Sequence, residues 1–281
     1  MKKKIAIIGS GISGLTLASL FKNNTNFEFH VYEKEDNLNL DEGFGIQLSV
    51  NSVSILNKIG FDKVNKNAKH HPSSLDFYSE NCEKICYLDL TTFNSENQKY
   101  TTLKRSTLVK FLKEKLLSNS IIFCKKINKV EQTREKINIY FTDGSSDEVD
   151  YLVVADGVFT NTKSVIENKI FKPIYYGAIA IRTQIQNQSI SNFSSQNISL
   201  VMGSNAHLVL YPINQSKELN LVCIIRKKSE SNGDMKIILE NAIFKENKDV
   251  ADLFKEDLKL WPLYTSNKSS KSIYRNVFYI G

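Results

Sequence analysis

The chain has 281 residues, enough for one large domain or two modest ones at about 150 residues each. Hydrophobic residues at 41% and charged residues at 24% exclude a disordered chain, four cysteines exclude a disulfide scaffold, and no apolar run approaches the ~20 residues of a membrane span. The net charge is +7, but the lysines are scattered and no nucleic-acid motif accompanies them, so no nucleic-acid partner is expected.

Met1–Ile8 imitates the start of a signal peptide. Its apolar stretch nevertheless breaks at Gly9 after four residues, short of the ~7–15 of an h-region. A cytoplasmic protein with no integral membrane association is expected. Cys82 and Cys86 are spaced C-x3-C, with Cys124 and Cys223 far away. With no second spaced pair, four reduced thiols and no metal site are expected.

Ile5-Ala6-Ile7-Ile8 reads as a parallel strand buried on both faces. Gly9-Ser10-Gly11-Ile12-Ser13-Gly14 follows, then a helix with Leu15, Leu17, Ala18 and Phe21 on its apolar stripe. Phe27–Tyr32 reads as the second strand, with Glu33 at its end. In this βαβ unit Gly9 permits the tight turn, Gly11 lets a pyrophosphate approach the backbone, and Gly14 lets helix and strand pack. Glu33 lies nineteen residues beyond Gly14, placed to accept hydrogen bonds from a ribose and to repel a 2′-phosphate.

Further short βα units do not follow. Asp41–Gln47 is a glycine-rich loop, and Val50–Ile59 a helix stopped by Gly60. Ser74–Ser79 and Ile85–Leu90 alternate as strands. Lys104–Leu117 is an amphipathic helix with Leu108, Phe111, Leu112 and Leu116 on one stripe. Strands are expected at Ile121–Phe123, Ile127–Gln132, Ile137–Thr142 and Tyr151–Ala155, the last ending in Asp156-Gly157. More β follows at Ile179–Ile185, Ile198–Met202, His207–Tyr211 and Leu219–Ile225. Then come helices at Met235–Phe244 and Val250–Phe254, and a buried strand at Asn276–Gly281. Trp261 is expected in the core. His207, Val209 and Tyr211 share one strand face.

With these segments in this order, the sequence resembles the FAD-dependent aromatic-ring monooxygenases, the class A flavoprotein hydroxylases, nearest their salicylate-hydroxylase-like group. Gly9–Gly14 with Glu33 and the neighbouring Lys34 matches the family's FAD fingerprint. Gly43-Phe44-Gly45-Ile46-Gln47 with Asn51, Leu56 and Gly60 resembles the segment that runs beside the flavin. Arg105, in Lys104–Leu108, resembles the family's R-x-x-L helix start, whose arginine contacts FAD. Ala155-Asp156-Gly157 resembles the second signature, near the FAD pyrophosphate and the path of the pyridine nucleotide. Thr160 and Lys163 stand where the family carries a serine and an arginine, and lysine lacks the bidentate fork that suits phosphate. Asn276–Gly281 resembles the start of the third signature, ending one residue short of its aspartate.

The resemblance implies an α/β fold: a discontinuous Rossmann-like FAD-binding domain with a parallel sheet, interrupted by a mostly antiparallel substrate domain. The expected boundaries are 1–72, 98–170 and 274–281 for the first and 73–97 and 171–273 for the second. It implies FAD as cofactor and NAD(P)H as co-substrate. A small phenol or hydroxybenzoate-like ring would be hydroxylated with O2 through a flavin C4a-hydroperoxide. The expected cofactor-binding residues are Gly9, Gly11, Ser13, Gly14, Glu33, Lys34, Gly45, Ile46, Arg105, Asp156 and Gly157. His207, Arg182 and Tyr211 are the candidate catalytic residues, with His207 as base. The chain is expected to be incomplete at the third signature and, for that reason, to bind FAD poorly and hydroxylate nothing, the full-length protein doing both. The alternatives are a lipid reductase on the same fold and a degenerate FAD-binding module. A flavin halogenase is disfavoured, since its W-x-W-x-I-P motif needs two tryptophans and the chain has one.

Overall fold

The computed structural model describes residues 2–38, 40, 44–187, 190, 193–230, 234–242, 250, 252–254, 257–266 and 272–280. Asp41, Glu42 and Gly43 of the glycine-rich loop, the end of the Met235–Phe244 helix, part of Val250–Phe254, and Gly281 lie outside them. The chain forms two compact units, one of Met1–Asp41, Leu108–Ile174 and Tyr264–Gly281, the other of Glu42–Thr107 and Tyr175–Leu263.

The first unit is built on a five-stranded parallel sheet in the order Val277–Tyr279, Tyr151–Val154, Lys3–Ile8, Phe27–Tyr32, Ile121–Ile122. Ile5, Ala6, Ile7 and Ile8 are at most 5% exposed, as a central strand covered on both faces requires. The helix Ile12–Phe21 makes the crossover to Phe27–Tyr32. Ile127–Gln132, Ile137–Phe141 and Ser146–Val149 form an antiparallel sheet whose Ile137, Ile139 and Val149 share one apolar cluster with Ala6, Ile8 and Leu152. In register, Ile8 stands beside both Tyr32 and Val154, so three strands end together at their carboxyl ends.

The second unit holds a seven-stranded, mostly antiparallel sheet in the order Lys259–Thr265, Ile174–Gln186, Glu218–Arg226, Ala206–Ile213, Ile198–Met202, Ser74–Tyr78, Lys84–Asp89. Ile179, Ile181, Leu208, Leu221 and Cys223 face an apolar cluster completed by Leu239, Leu253 and Phe254. Residues 44–72 and 98–107, expected with the first domain, cluster with this unit. The reason is a ladder: Thr101–Lys104 pairs with both Gly45–Leu48 and Lys69–His70, and the Thr102 hydroxyl donates to the Pro212 carbonyl.

Two expectations are corrected. Trp261 is not core: it is 39% exposed, on the outermost strand of its sheet, with its ring edge-on to Phe44 at 5.0 Å. The last strand is not fully buried either. Val277 is 5% exposed, but Phe278 is 48% and Ile280 38% exposed, because Val277–Tyr279 pairs on one side only, with Tyr151–Val154. Among the described residues no helix is long and apolar enough to cross a membrane.

Asp150 ties the start of the central strand to the antiparallel sheet. Its carboxylate accepts from the Lys4 amide at 2.8 Å and pairs with Lys3 at 3.1 Å and Lys136 at 3.0 Å. Burial opposes its ionisation, but the Lys4 amide and the two ammonium groups prevail and hold its pKa at about 2. A depressed carboxylate stabilises above its unfolded value and loses that contribution as pH falls through the folded one. Asp150→Asn is therefore expected to lower the melting temperature at pH 7, the gap to wild type closing between about pH 4 and about pH 2. Thermal melts across that range check it.

Candidate functional site

A cavity of about 630 Å³ in the first unit opens where the parallel strands end, lined by Gly9, Gly11, Glu33, Lys34, Asp156 and Gly157 among others. Gly9 has φ +99°, and a Cβ there would lie 2.7 Å from the Ala155 carbonyl oxygen. At Gly14 a Cβ would lie 2.1 Å from the Gly9 carbonyl oxygen, so only glycine lets the helix start against the strand. Gly11 differs: nothing lies within 4 Å of its would-be Cβ, which leaves open space above the backbone. Gly11 caps the helix Ile12–Phe21 with no side-chain hydrogen bond, and the first turn, which holds Ser13, has no acidic residue. The positive helix end thus faces an open position suited to a phosphate.

Glu33 is already held in place. Its Oε2 accepts from the Ser10 amide at 2.8 Å and from the Ser10 hydroxyl at 2.5 Å, and its Oε1 accepts from the Glu35 amide at 3.1 Å. Burial opposes ionisation, but the Ser10 hydroxyl and the surrounding amides outweigh it and keep the carboxyl below the usual range. An ionised carboxylate has about four acceptor sites, so capacity remains for a ribose hydroxyl. Ser10 was not singled out from the sequence, although it is the first variable residue of the fingerprint. Lys34 pairs with Glu35 at 3.5 Å, both exposed.

Asp156 completes the cavity. Its Oδ2 accepts from the Thr162 hydroxyl at 2.7 Å, whereas its Oδ1 is buried without a partner. An orphaned acceptor on a cavity wall is costly unless a ligand donor meets it. Gly157 follows with φ +77° and open space around it. Thr162, rather than Thr160, supplies the hydroxyl beside Asp156, and no sequence signal distinguished the two. Lys163 is buried with its ammonium 4.6 Å from the Phe171 ring centroid and 5.2 Å from that of Tyr279, and it is not among the residues lining the cavity.

Gly45, Ile46, Arg105, Arg182, His207 and Tyr211 belong to the second unit. The Gly45 amide donates to Asn220 Oδ1 at 2.6 Å, and a Cβ at Gly45 would lie 2.8 Å from Tyr211 Cε2. Ile46 pairs with Leu103, and the Arg105 amide donates to the Phe44 carbonyl at 3.0 Å. The Arg182 guanidinium lies 5.8 Å from the Phe44 ring and 6.0 Å from that of Trp261. Burial pushes the Tyr211 phenol up, opposed by the Arg182 charge, so Tyr211 stays a neutral donor. His207 shares a strand with Tyr211 but sits four residues away, about 13 Å along it. Burial lowers its pKa, leaving the imidazole neutral at pH 7. Among the described residues no His, Cys, Asp and Glu cluster suits a metal ion.

The glycine geometry separates packing from binding. Gly14→Ala is expected to lower the melting temperature sharply, since the Gly9 carbonyl is backbone and has nowhere to move. Gly11→Ala is expected to leave it within about 1 °C, because the added methyl meets nothing. Parallel melts of the two variants check this.

Residues 7–40 match the NAD(P)-binding Rossmann-like domain family. The chain is 23% identical over 246 residues to 3-amino-4-hydroxybenzoate 2-monooxygenase of Streptomyces cremeus, covering 82% of this chain and 58% of that protein. It is 22% identical over 244 residues to salicylate hydroxylase of Pseudomonas putida, covering 81% of this chain and 56% of that one. The chain thus spans little more than half the length of these relatives. The crystal structure of Klebsiella pneumoniae HpxO complexed with FAD and uric acid superposes with a TM-score of 0.87 at 16% identity, covering 99% of this chain and 72% of that one. The chain is similar in sequence to these aromatic-ring monooxygenases and shares the fold of the FAD-bound structure.

Proposed function

We propose that the protein is an FAD-dependent monooxygenase that hydroxylates a small aromatic substrate with NAD(P)H and O2. One observation carries the reading: a single cavity gathers an uncapped helix start over the open Gly11 position, a fixed ionised Glu33 and the orphaned Asp156 Oδ1. These fit the parts of a dinucleotide: amides of the helix start for pyrophosphate, Glu33 for a ribose, and Asp156 for a further hydroxyl or amide. Bound there, FAD supplies the redox chemistry, accepting hydride from NAD(P)H and activating oxygen.

The chain's own residues bind and orient. Glu33 disfavours a 2′-phosphate at this cavity through its charge. In the second unit, Arg182 and Tyr211 present donors on one sheet face, and neutral His207 is the candidate acceptor of a phenolic proton. Free thiols at all four cysteines fit a reducing, cytoplasmic setting. A lipid reductase on this fold would oxidise NAD(P)H without an aromatic compound, and a degenerate module would hold flavin without oxidising NAD(P)H.

The test is flavin content by absorbance, with NAD(P)H oxidation across a panel of phenols and hydroxybenzoates. The full-length protein is expected to carry flavin and to oxidise NAD(P)H faster with an aromatic present. Gly11→Asp, which puts an anion where phosphate approaches, should abolish flavin retention. Glu33→Ala should weaken it by about tenfold to a hundredfold, the worth of hydrogen bonds to a charged acceptor. Full flavin retention by Gly11→Asp would show that the cofactor does not sit at this cavity.

A further inference from the structure

The strand Lys84–Asp89 is the outermost of the second unit's large sheet, and all six of its residues are exposed. Ile85 is 60% and Tyr87 64% exposed, so apolar side chains on this strand meet nothing that covers them. Native edge strands are blunted by charge or proline. The middle of this one reads Ile85-Cys86-Tyr87-Leu88 and carries neither; its two charges, Lys84 and Asp89, stand at the ends. An apolar edge of this kind is a template for another strand.

The hydrogen-bond phase states which groups the edge offers. The Leu90 amide donates to the Ser73 carbonyl at 2.9 Å, Leu88 stands opposite Leu75, and Cys86 opposite Phe77. Antiparallel backbones alternate, so these residues turn their amides and carbonyls inward, toward Ser74–Tyr78. Ile85, Tyr87 and Asp89 turn theirs to the free edge. The register slips only past Cys86, where Tyr78 takes Lys84. The Asp89 carbonyl already accepts from the Thr92 hydroxyl at 2.8 Å. Ile85 and Tyr87 thus hold the groups open to a new strand.

A second copy of the same strand fits them. Pairing about a two-fold axis sets outward residues opposite outward residues, which leaves two central registers. Centred on Tyr87, Ile85 would meet Asp89, an apolar side chain against a carboxylate. Centred on Cys86, Ile85 meets Tyr87 twice, a β-branched side chain against an aromatic one, and the engaged Asp89 carbonyl is not needed. The end charges are of opposite sign, so antiparallel pairing brings each Lys84 toward the Asp89 of the other copy, with Glu83 alongside.

We propose that Lys84–Asp89 is the docking edge for a second copy of this chain, the two strands pairing antiparallel across an axis at Cys86. A ribbon of six residues is about 20 Å long and buries on the order of 1,000 Å², which corresponds to a reversible dimer rather than a permanent one.

Sedimentation of the purified protein under reducing conditions, from about 1 to about 100 µM, is expected to show a monomer–dimer equilibrium. Tyr87→Lys, at an exposed position, should leave the melting temperature unchanged. It should raise the dissociation constant at least about tenfold, because Tyr87 enters the contact twice. Diamide, which takes up the two thiol hydrogens and leaves a disulfide, reads the register. Residues facing each other at a non-hydrogen-bonded pair lie about 4.5 Å apart at Cα, within disulfide reach, so Cys86 should crosslink to its copy. Cys124 is the other exposed cysteine. Cys124→Ser should keep the crosslink, and Cys86→Ser should lose it while still sedimenting as a dimer. Monomer alone at the highest concentration, or a dimer that Tyr87→Lys leaves intact, overturns the proposal. So does a dimer that diamide does not trap, or a crosslink that survives Cys86→Ser.

Discussion

The close approach of Gly14 to the Gly9 carbonyl is the constraint on which the first unit depends. A Cβ at Gly14 would lie 2.1 Å from that oxygen, and one at Gly9 would run into the backbone of Ala155 and Asp156. Backbone meets backbone at both places, so no side-chain adjustment relieves either clash. Because the helix Ile12–Phe21 starts this near the end of Lys3–Ile8, its N-terminus opens at the carboxyl edge of the sheet. The neighbouring strands Phe27–Tyr32 and Tyr151–Val154 end at the same level. Glu33, directly after its strand, and Asp156, one residue beyond the end of its own, therefore enter one cavity although 122 positions of sequence separate them.

Charge is arranged there by opposing effects. Burial alone would favour a neutral Glu33, yet the Ser10 hydroxyl and amide keep it ionised. The same bonds fix the carboxylate in orientation, which is what lets one acid accept from a ribose without first paying to become ordered. Asp156 is the converse, with one oxygen held by Thr162 and the other left without a donor. The second unit repeats that incompleteness with opposite polarity: its sheet face leaves donors, not acceptors, unbonded.

Much of this was legible in the sequence, where local rules acted. The Ile5–Ile8 run, the three glycines and Glu33 stand in one short stretch, and each carries its own reason. Thr162 and Ser10 were missed because their roles depend on which hydroxyl faces a carboxylate, and spacing does not encode that. The Lys69–His70, Thr101–Lys104 and Ser146–Val149 strands were missed for a different reason: they are short or polar, and strand-to-strand hydrogen bonds rather than alternation define them. Gln184 and Asn220 look like ordinary surface amides in sequence. Only the register of three strands sets them beside Arg182. Trp261 illustrates the limit of composition, since a large ring on an outermost strand remains partly exposed.

The central claim is that the cavity holds an adenosine-bearing dinucleotide, with pyrophosphate at the helix start and ribose at Glu33. Competition against bound FAD, followed by the return of free-flavin fluorescence, tests it most directly. ADP-ribose is expected to displace FAD, and its 2′-phosphorylated counterpart to compete at least about tenfold less well, because Glu33 opposes the added charge. Equal displacement by the two, or by neither, would contradict the account.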